Sequence, residues 1–349
     1  MRTDRLIGAF LFPGVWHDAE SFRRLVWELR DFGINAIVTE SNEYDDRAIA
    51  LVHEAGLRFF AGMACFSDHA SEFREITERP ELWPILETGE RRPQMEWYVG
   101  ITPTDRVHQE NALDKIRSVV THYPVDGLFL DFIRWPLHWE TELRPGCPPP
   151  LDSSFDATTL ALFEESSHLQ LPREAATVAT QADWIRERHR REWVDFKCGI
   201  ISKFVEEARR VLRKEREEAL LGLFVVPKVD GLTEALTGQR LSELAPLSDL
   251  IAPMLYHNIL LRPPAWVGEA LSDVVRFAGS KTLPVVQADS NRDTSVPGDW
   301  GPPMPLENWE ATLAEVHDNL DSLAGILVFP GTSLVGNGRG ELVRTIFAK

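Results

Sequence analysis

The sequence predicts an α/β fold, a single closed (β/α)8 barrel of the TIM type. Short apolar runs rich in β-branched residues alternate with longer segments of helical period, a pattern typical of βα units repeated around a parallel sheet. Eight such runs occur, and no linker or change of composition divides the 349 residues, so we expect one domain over 1–349. The runs are 6–12, 34–40, 58–66, 125–131, 219–226, 249–256, 282–289 and 324–330.

The helices are predicted from their apolar period and from their stop signals. The segments 19–33 and 45–56 each end on a glycine suited to a helix C-terminus. The longest predicted helix, at about 174–214, carries apolar residues at three- and four-residue steps. Long insertions, at about 67–104 and 136–173, follow strands three and four. Because loops at the C-terminal strand ends build the active sites of such barrels, these insertions predict substrate-binding structure.

Composition excludes several classes of protein. The net charge of −17 would repel nucleic acid and anionic membranes, and no basic run reverses it. The N-terminal apolar run 6–12 is too short for a signal peptide or a membrane span, so we expect a cytoplasmic protein without membrane association. The three cysteines lack a C-x-x-C pair, and no His-x-His opens strand one. We therefore expect neither a bound metal nor a cofactor.

The fourth apolar run, VDGLFLD, ends in Asp131 and is followed by Arg134. In the body of the barrel a carboxylate would cost several kcal/mol of desolvation unless paired. At the mouth of the barrel it can be partly hydrated and catalytic. The alternative interpretation is an ion pair between Asp131 and Arg134 that holds the loop.

Polar residues also follow other strands, and their convergence at one barrel end predicts a site. Each alone could be a helix cap or a turn residue. Tryptophans in the predicted βα loops, Trp16 and Trp135 among them, suit sugar rings, although most of the eleven are expected in the core. The polar residues are Glu40, Lys228, Asp230, Tyr256, His257, Asn258, Gln287, Asp289, Ser290 and Asn291.

The segment 98–136, which ends in VDGLFLDFIRWP, resembles glycoside-hydrolase-like TIM-barrel families with a VDG-x-x-x-D-x-x-R-x-P motif at strand four. Similar stretches at 154–172, 250–257 and 283–289 extend the resemblance over most of the chain. The resemblance implies a TIM barrel with a glycosidase-type site centred on Asp131, an enzyme that hydrolyses glycosyl bonds. Asp131 also resembles the strand-four nucleophile of α-amylase-like enzymes, which implies a covalent, retaining role.

Glycoside hydrolysis generally needs two carboxyl groups, and Asp131 is the first. Its expected acid/base partner is Asp289, with Glu40 as the second choice. The remaining candidates would bind a carbohydrate substrate, whose sugar and linkage the sequence does not specify; nor does it specify the oligomeric state. These candidates are Trp16, Arg134, Trp135, Tyr256, His257, Gln287 and Asn291.

Two alternatives remain open from the residues. Lys228 could form a Schiff base in a lyase or aldolase, with the glycine-rich segment 330–340 binding a phosphate. A carbohydrate-binding pseudoenzyme would keep the aromatic mouth without a competent carboxylate pair.

Overall fold

Eight parallel strands close into a barrel in which every strand pairs with its neighbours in chain order and the last strand pairs with the first. The computed structural model describes residues 5–41, 43–69, 73–95, 97–173, 176–227, 232–290 and 298–347. The predicted TIM barrel is confirmed. Its strands are β1 (Leu6–Phe10), β2 (Ala36–Glu40), β3 (Arg58–Ala64), β4 (Gly127–Asp131), β5 (Leu220–Val225), β6 (Leu250–Leu255), β7 (Val285–Gln287) and β8 (Gly325–Phe329).

The helices surround the strands and fill the long connections. A short helix precedes the main helix of the β3–β4 connection, and three helices precede the main helix of the β4–β5 connection. Within the described ranges the helices are α1 (Ala19–Asp31), α2 (Asp46–Glu54), α3 (Arg74–Glu78), α4 (Arg106–His122), α5 (Trp139–Glu142), α6 (Ala157–Ser167), α7 (Val178–Arg188), α8 (Arg190–Glu215), α9 (Thr233–Thr237), α10 (Leu241–Leu247), α11 (Ala265–Ala278), α12 (Leu306–His317) and α13 (Arg339–Phe347).

The single helix predicted at about 174–214 is two helices in the structure. Thr177 begins α7 with a capping box, and the backbone leaves helical geometry at His189, where φ is −137°. The break lets α7 fold against α6 and the start of α8 around Trp193, forming an apolar cluster separate from the barrel core. The periodicity predicted helix on both sides of the break but could not show the change of direction.

Aromatic rings fill the barrel interior. Phe129 from β4 stacks on Phe224 from β5 with ring centroids 5.0 Å apart, and Phe60 from β3 packs edge-on against Phe129 at 5.6 Å. Gly222, level with Phe129 in the β4–β5 register, leaves room for that ring. A Cβ on Gly222 would lie 2.3 Å from the Phe129 ring. The barrel is therefore closed by phenylalanine side chains below its C-terminal mouth.

None of the helices within the described ranges combines the length and the apolar character that a membrane crossing requires.

We predict that Gly222→Ala lowers the free energy of unfolding by about 1–3 kcal/mol, because overpacking a filled core forces side chains and backbone to shift. Gly199→Ala is the matched control, since Gly199 is exposed in α8 and a Cβ there meets nothing within 4 Å. The free energy of unfolding of this control should rise by about 0.5–1 kcal/mol, because alanine has a higher helix propensity than glycine. Urea denaturation of both variants tests this, and equal stabilities would contradict the packing of Phe129 on Gly222.

Candidate active site

The C-terminal strand ends surround a cavity of about 520 Å³. Carboxyl groups and aromatic rings make up much of its lining, which is the combination expected for a polar ligand with flat apolar faces. Within the described ranges the lining residues are Phe10, Phe12, Glu40, His69, Phe73, Met95, Trp97, Asp131, Phe132, Arg134, Glu140, Thr141, Phe224, Met254, Tyr256, Ile259, Gly298, Asp299, Trp300 and Phe329.

Asp131 ends β4 and enters this cavity. Its Oδ1 accepts a hydrogen bond of 2.6 Å from the backbone N–H of Phe132 and lies 3.6 Å from a guanidinium nitrogen of Arg134. Burial, helped by the negative charge of Glu40, raises the pKa of Asp131 to about 6, although the Arg134 charge opposes the rise. Asp131 is therefore mainly ionised at neutral pH but takes up a proton far more readily than an exposed aspartate.

The turn after Asp131 has an uncommon backbone conformation. Phe132 has a φ of 50°, in the left-handed region that a bulky side chain seldom occupies. Its ring lies 4.4 Å from the Arg134 guanidinium carbon and contacts the rings of His69 and Tyr98 at 4.8 and 5.2 Å. This packing holds the turn in place and returns Arg134 towards Asp131, so local strain accompanies the placement of the charged groups.

Glu40 ends β2 and reaches the same cavity. It is level with Gly62 of β3, where a Cβ would lie 3.0 Å from the Cα and Cβ of Glu40, so the glycine leaves room for the chain at Glu40. Glu40 Oε1 lies 2.7 Å from His69 Nε2, and His69 Nδ1 lies 2.7 Å from the Ser67 hydroxyl. Burial alone would lower the pKa of His69, but the hydrogen bond and charge of Glu40 outweigh it and raise that pKa. Glu40 is thus held in place by its hydrogen bond with His69.

Glu140 is a third carboxyl group in the cavity, and no sequence pattern marks it as a site residue. It lies in α5, where its Oε2 is 3.1 Å from the Tyr98 hydroxyl. That hydroxyl has one proton and also lies 2.9 Å from the carbonyl oxygen of Leu137. If Tyr98 donates to the carbonyl, its oxygen can accept from a protonated Glu140. Burial raises the pKa of Glu140 to about 7 against the opposing charge of Arg134, so a proton on this carboxyl is accessible at neutral pH.

The segment that carries Glu140 is anchored at both ends. Glu142 Oε2 accepts from the backbone N–H of His138 at 2.6 Å and forms an ion pair with buried Arg92. Arg144 donates to the carbonyl oxygens of Ile259 and Asp299, at 2.8 and 2.9 Å. These contacts connect α5 to the loops after β3, β6 and β7. Sequence offered no signal that distinguishes Glu140 from Glu142, because only these tertiary contacts show which carboxyl enters the cavity.

A stack of aromatic rings forms one wall. Trp300 lies over Phe329 with centroids 4.9 Å apart, and Phe329 lies over Tyr256 at 4.7 Å, each pair nearly parallel. Trp97, half-buried on the loop after β3, contributes a further ring. Apolar flat faces of this kind suit the C–H faces of sugar rings. No sequence pattern marks Trp97 or Trp300 as site residues, because both lie in long connections without a periodic pattern.

Among the predicted site residues, the structure brings Asp131, Glu40, Arg134 and Tyr256 together in the cavity. Asp289, the predicted acid/base partner, does not line it. Asp289 Oδ2 lies 3.3 Å from buried Arg339, and Asp289 Oδ1 accepts from the backbone N–H of Ser290 at 2.8 Å. Asp289 follows β7 as expected, but its side chain connects the loop after β7 to Arg339 at the start of α13.

The two tryptophans expected to contact substrate do not line the cavity either. Trp135 is fully buried, packs against Trp193 and Phe196, and donates its indole N–H to the Lys197 carbonyl at 3.0 Å. Trp16 packs between Phe22 and Tyr44. Both rings are large apolar surfaces next to helices, and burying them in the core is favourable.

His257 and Gln287 are buried and do not line the cavity. The Gln287 side-chain amide donates to the Trp300 carbonyl at 2.9 Å and accepts from the Ile259 N–H at 3.0 Å. Asn258 also donates to the Trp300 carbonyl, at 3.1 Å. Gln287 and Asn258 therefore position the aromatic wall. The predicted residues Lys228, Asp230 and Asn291 lie outside the described residues.

Within the described ranges, no group of three or more His, Cys, Asp or Glu side chains has the arrangement needed to hold a metal ion.

Solved structures of glycoside hydrolases share this fold. The PgaB (BpsB) glycoside hydrolase domain from Bordetella bronchiseptica matches over 99% of both chains, with a TM-score of 0.72 and 14% identity. The catalytic domain of β-amylase from Paenibacillus polymyxa matches 99% of this chain and 98% of its own, with a TM-score of 0.67 and 10% identity. A β-galactosidase from Marinomonas ef1 gives a TM-score of 0.68 at 11% identity, covering 98% of this chain and 59% of its own.

No protein-family model matches the sequence, and no curated protein matches it significantly. At the identities of the structural matches, the likeness shows a glycoside-hydrolase-like barrel fold and does not assign an activity or catalytic residues.

We predict that Asp131→Asn raises the melting temperature at about pH 8. The pKa of Asp131 is about 6 in the folded protein against an ordinary value of 3.8, so the folded state binds the proton more tightly. The ionised side chain therefore costs stability that begins to appear above about pH 4 and is complete above about pH 6. Asparagine removes that cost and keeps an acceptor for the Phe132 N–H.

Thermal melts at several pH values test this, and the gain should disappear near pH 4. Asp289→Asn is the control, because it weakens a buried ion pair with Arg339 and should lower the melting temperature. A loss of stability in Asp131→Asn at all pH values would instead show that Asp131 braces the loop through Arg134.

Proposed function

We propose that the protein is a glycoside hydrolase that cleaves a carbohydrate by carboxylate acid/base chemistry, with Asp131 as the central catalytic residue. The observation that carries the proposal is the meeting of Asp131, Glu40 and Glu140 in one cavity walled by aromatic rings. Two of these carboxyl groups have raised pKa values, about 6 and about 7, which suit an ionised and a protonated partner at the same pH. The glycosidase-like fold supports the same class of reaction.

In the proposed mechanism Asp131 is the nucleophile and Glu140 is the general acid. Glu140 gives its proton to the glycosidic oxygen as Asp131 attacks the anomeric carbon, and the leaving alcohol departs. Ionised Glu140 then takes a proton from water, which displaces Asp131 and releases the sugar. Glu140 replaces Asp289 as the proposed partner, because Asp289 faces Arg339 instead of the cavity.

Arg134 and Glu40 influence the protonation of the proposed catalytic residues. The buried guanidinium of Arg134 favours the ionised form of both Asp131 and Glu140, which limits the effect of burial. Glu40 adds a negative charge beside Asp131 and, while hydrogen-bonded to His69, has an Oε2 that lacks a hydrogen-bond partner among the described residues. We propose that this oxygen accepts a sugar hydroxyl. The rings of Trp97 and Trp300 would then hold the sugar faces.

We predict that Asp131→Asn reduces turnover by at least about 10³-fold, because no binding contact replaces the nucleophile. The measurement is hydrolysis of a panel of aryl glycosides and oligosaccharides by wild type and variant. Asp289→Asn is the control and should keep its activity per folded molecule. Full activity in Asp131→Asn would exclude the proposed role. Glycan binding without hydrolysis by the wild type would identify a carbohydrate-binding pseudoenzyme.

We predict a narrow bell-shaped pH profile for kcat/KM, with limbs at about 6 and about 7 from Asp131 and Glu140. Activity falls below the first limb because the nucleophile becomes protonated, and above the second because the acid loses its proton. Glu140→Gln should abolish the alkaline limb and slow cleavage about 10²–10⁴-fold when the leaving group needs a proton. An aryl glycoside with an acidic phenol as leaving group should be affected much less in its first step.

Asp299→Asn is the control for Glu140→Gln, since Asp299 lines the same cavity but pairs with Arg144. Both limbs should persist in this control. An unchanged alkaline limb in Glu140→Gln would show that another group supplies the proton.

A further inference from the structure

A second cavity, of about 1140 Å³, adjoins the candidate active site. It lies against α3 and α4, and we call it the α4 groove. The two cavities share Phe10, Phe12, Glu40 and His69 in their linings. They therefore form one continuous depression, in which Glu40 and His69 stand at the junction and Asp131 lies on the aromatic side. A ligand seated over the carboxyl groups can extend from one cavity into the other.

The walls of the α4 groove differ from those of the aromatic cavity. Arg74 and Glu78 on α3 and Asn111 and Lys115 on α4 are exposed and bring hydrogen-bonding side chains to the groove. Apart from His108 and the Glu40–His69 pair at the junction, the Arg, Lys and Glu side chains among the described lining residues balance. They are Arg74, Arg79 and Lys115 against Glu43, Glu75 and Glu78. Such a surface suits an uncharged ligand with many hydroxyl groups better than a polyanion or a polycation.

The inner wall of the groove is fixed to the barrel. His108 Nδ1 lies 2.7 Å from Glu75 Oε1, and His108 Nε2 donates to the Cys65 carbonyl, also at 2.7 Å. Arg79 joins α3 to the start of α4 through a 2.9 Å contact with Asp105. These contacts fix α4 to the end of β3 and α3 to α4, so the groove is preformed and its occupation needs little ordering of the protein.

We propose that the α4 groove binds further units of an uncharged glycan chain whose scissile bond lies over Asp131, so that the enzyme cleaves within a chain and not only at a terminal sugar. This inference rests on the proposed function and names its substrate class. Binding energy from units remote from the scissile bond can lower the barrier at the reacting centre, so short substrates should lose kcat as well as affinity.

The test blocks the groove with Asn111→Trp, at an exposed position on its α4 wall. Glu110→Trp is the matched control, since Glu110 directly precedes Asn111 in α4, is also exposed and does not line the groove. Cello-, xylo-, manno- and chito-oligosaccharides, from the monosaccharide to the hexasaccharide, are the probes. Hydrolysis is measured in the otherwise native enzyme, and binding is measured calorimetrically with each change made in an Asp131→Asn background.

We expect affinity and kcat/KM to rise with chain length in one of the series. Asn111→Trp should lower the affinity and kcat/KM for the longest oligosaccharide at least about tenfold, a change of about 1.4 kcal/mol. Cleavage of an aryl monoglycoside should stay unchanged. Glu110→Trp should behave as wild type. Lys115→Trp, on the same wall, serves as a second blocking variant if Asn111→Trp melts at a lower temperature than the control.

The outcomes separate the two proposals. The groove proposal is overturned if hydrolysis does not depend on chain length, or if both blocking variants keep the length dependence. Either result leaves the proposed glycosidase activity standing. If binding depends on chain length, Asn111→Trp abolishes that dependence and the native protein hydrolyses nothing, the groove proposal is supported and the proposed glycosidase activity is overturned. Absence of both binding and hydrolysis for all four series overturns both.

Discussion

The burial of carboxyl groups above a floor of aromatic rings is the constraint on which this site depends. Phe10 and Phe224 come from β1 and β5 and form the apolar base of the cavity, and Phe329 of β8 joins Phe10 to the aromatic wall. Burial above this floor raises the pKa of Asp131 and of Glu140, because the ionised forms lose hydration. A buried carboxylate without compensation would be too costly, and Arg134 supplies that compensation to both groups. The phenylalanines at the end of the barrel core thus influence the electrostatics at its mouth.

The loops carry the cost of holding these charges. Phe132 takes a left-handed backbone conformation that brings Arg134 back to Asp131, and its ring is fixed by His69 and Tyr98. The α5 segment is tied to distant loops through Arg92 and Arg144, which keeps Glu140 in the cavity. The left-handed turn and the buried charges reduce stability locally, and the packing around them maintains them. An exposed loop without these ties would not keep three carboxyl groups in one small space.

The barrel is shared with β-amylase and β-galactosidase structures at 10 and 11% identity. A fold can be retained at such distances because its core requires apolar pattern and volume more than particular side chains. The chemistry depends instead on the loops at the C-terminal ends, where chains of the same fold differ most. The roles of Asp131 and Glu140 therefore follow from the contacts of these residues in this chain, and the shared architecture supplies only their setting.

Sequence by itself determined the eight strands and the position of Asp131, because period and strand ends are local properties, and the count of eight predicted the closure of the barrel. It also identified the strand ends that carry Glu40 and Tyr256. Only the tertiary structure decided which side chains enter the cavity. Trp135 turned into the core, Asp289 turned to Arg339, and Glu140 entered from a segment without periodic signal. The direction of a loop side chain depends on partners distant in sequence, such as Arg339 for Asp289 and Tyr98 for Glu140, and such partners become neighbours only when the barrel closes.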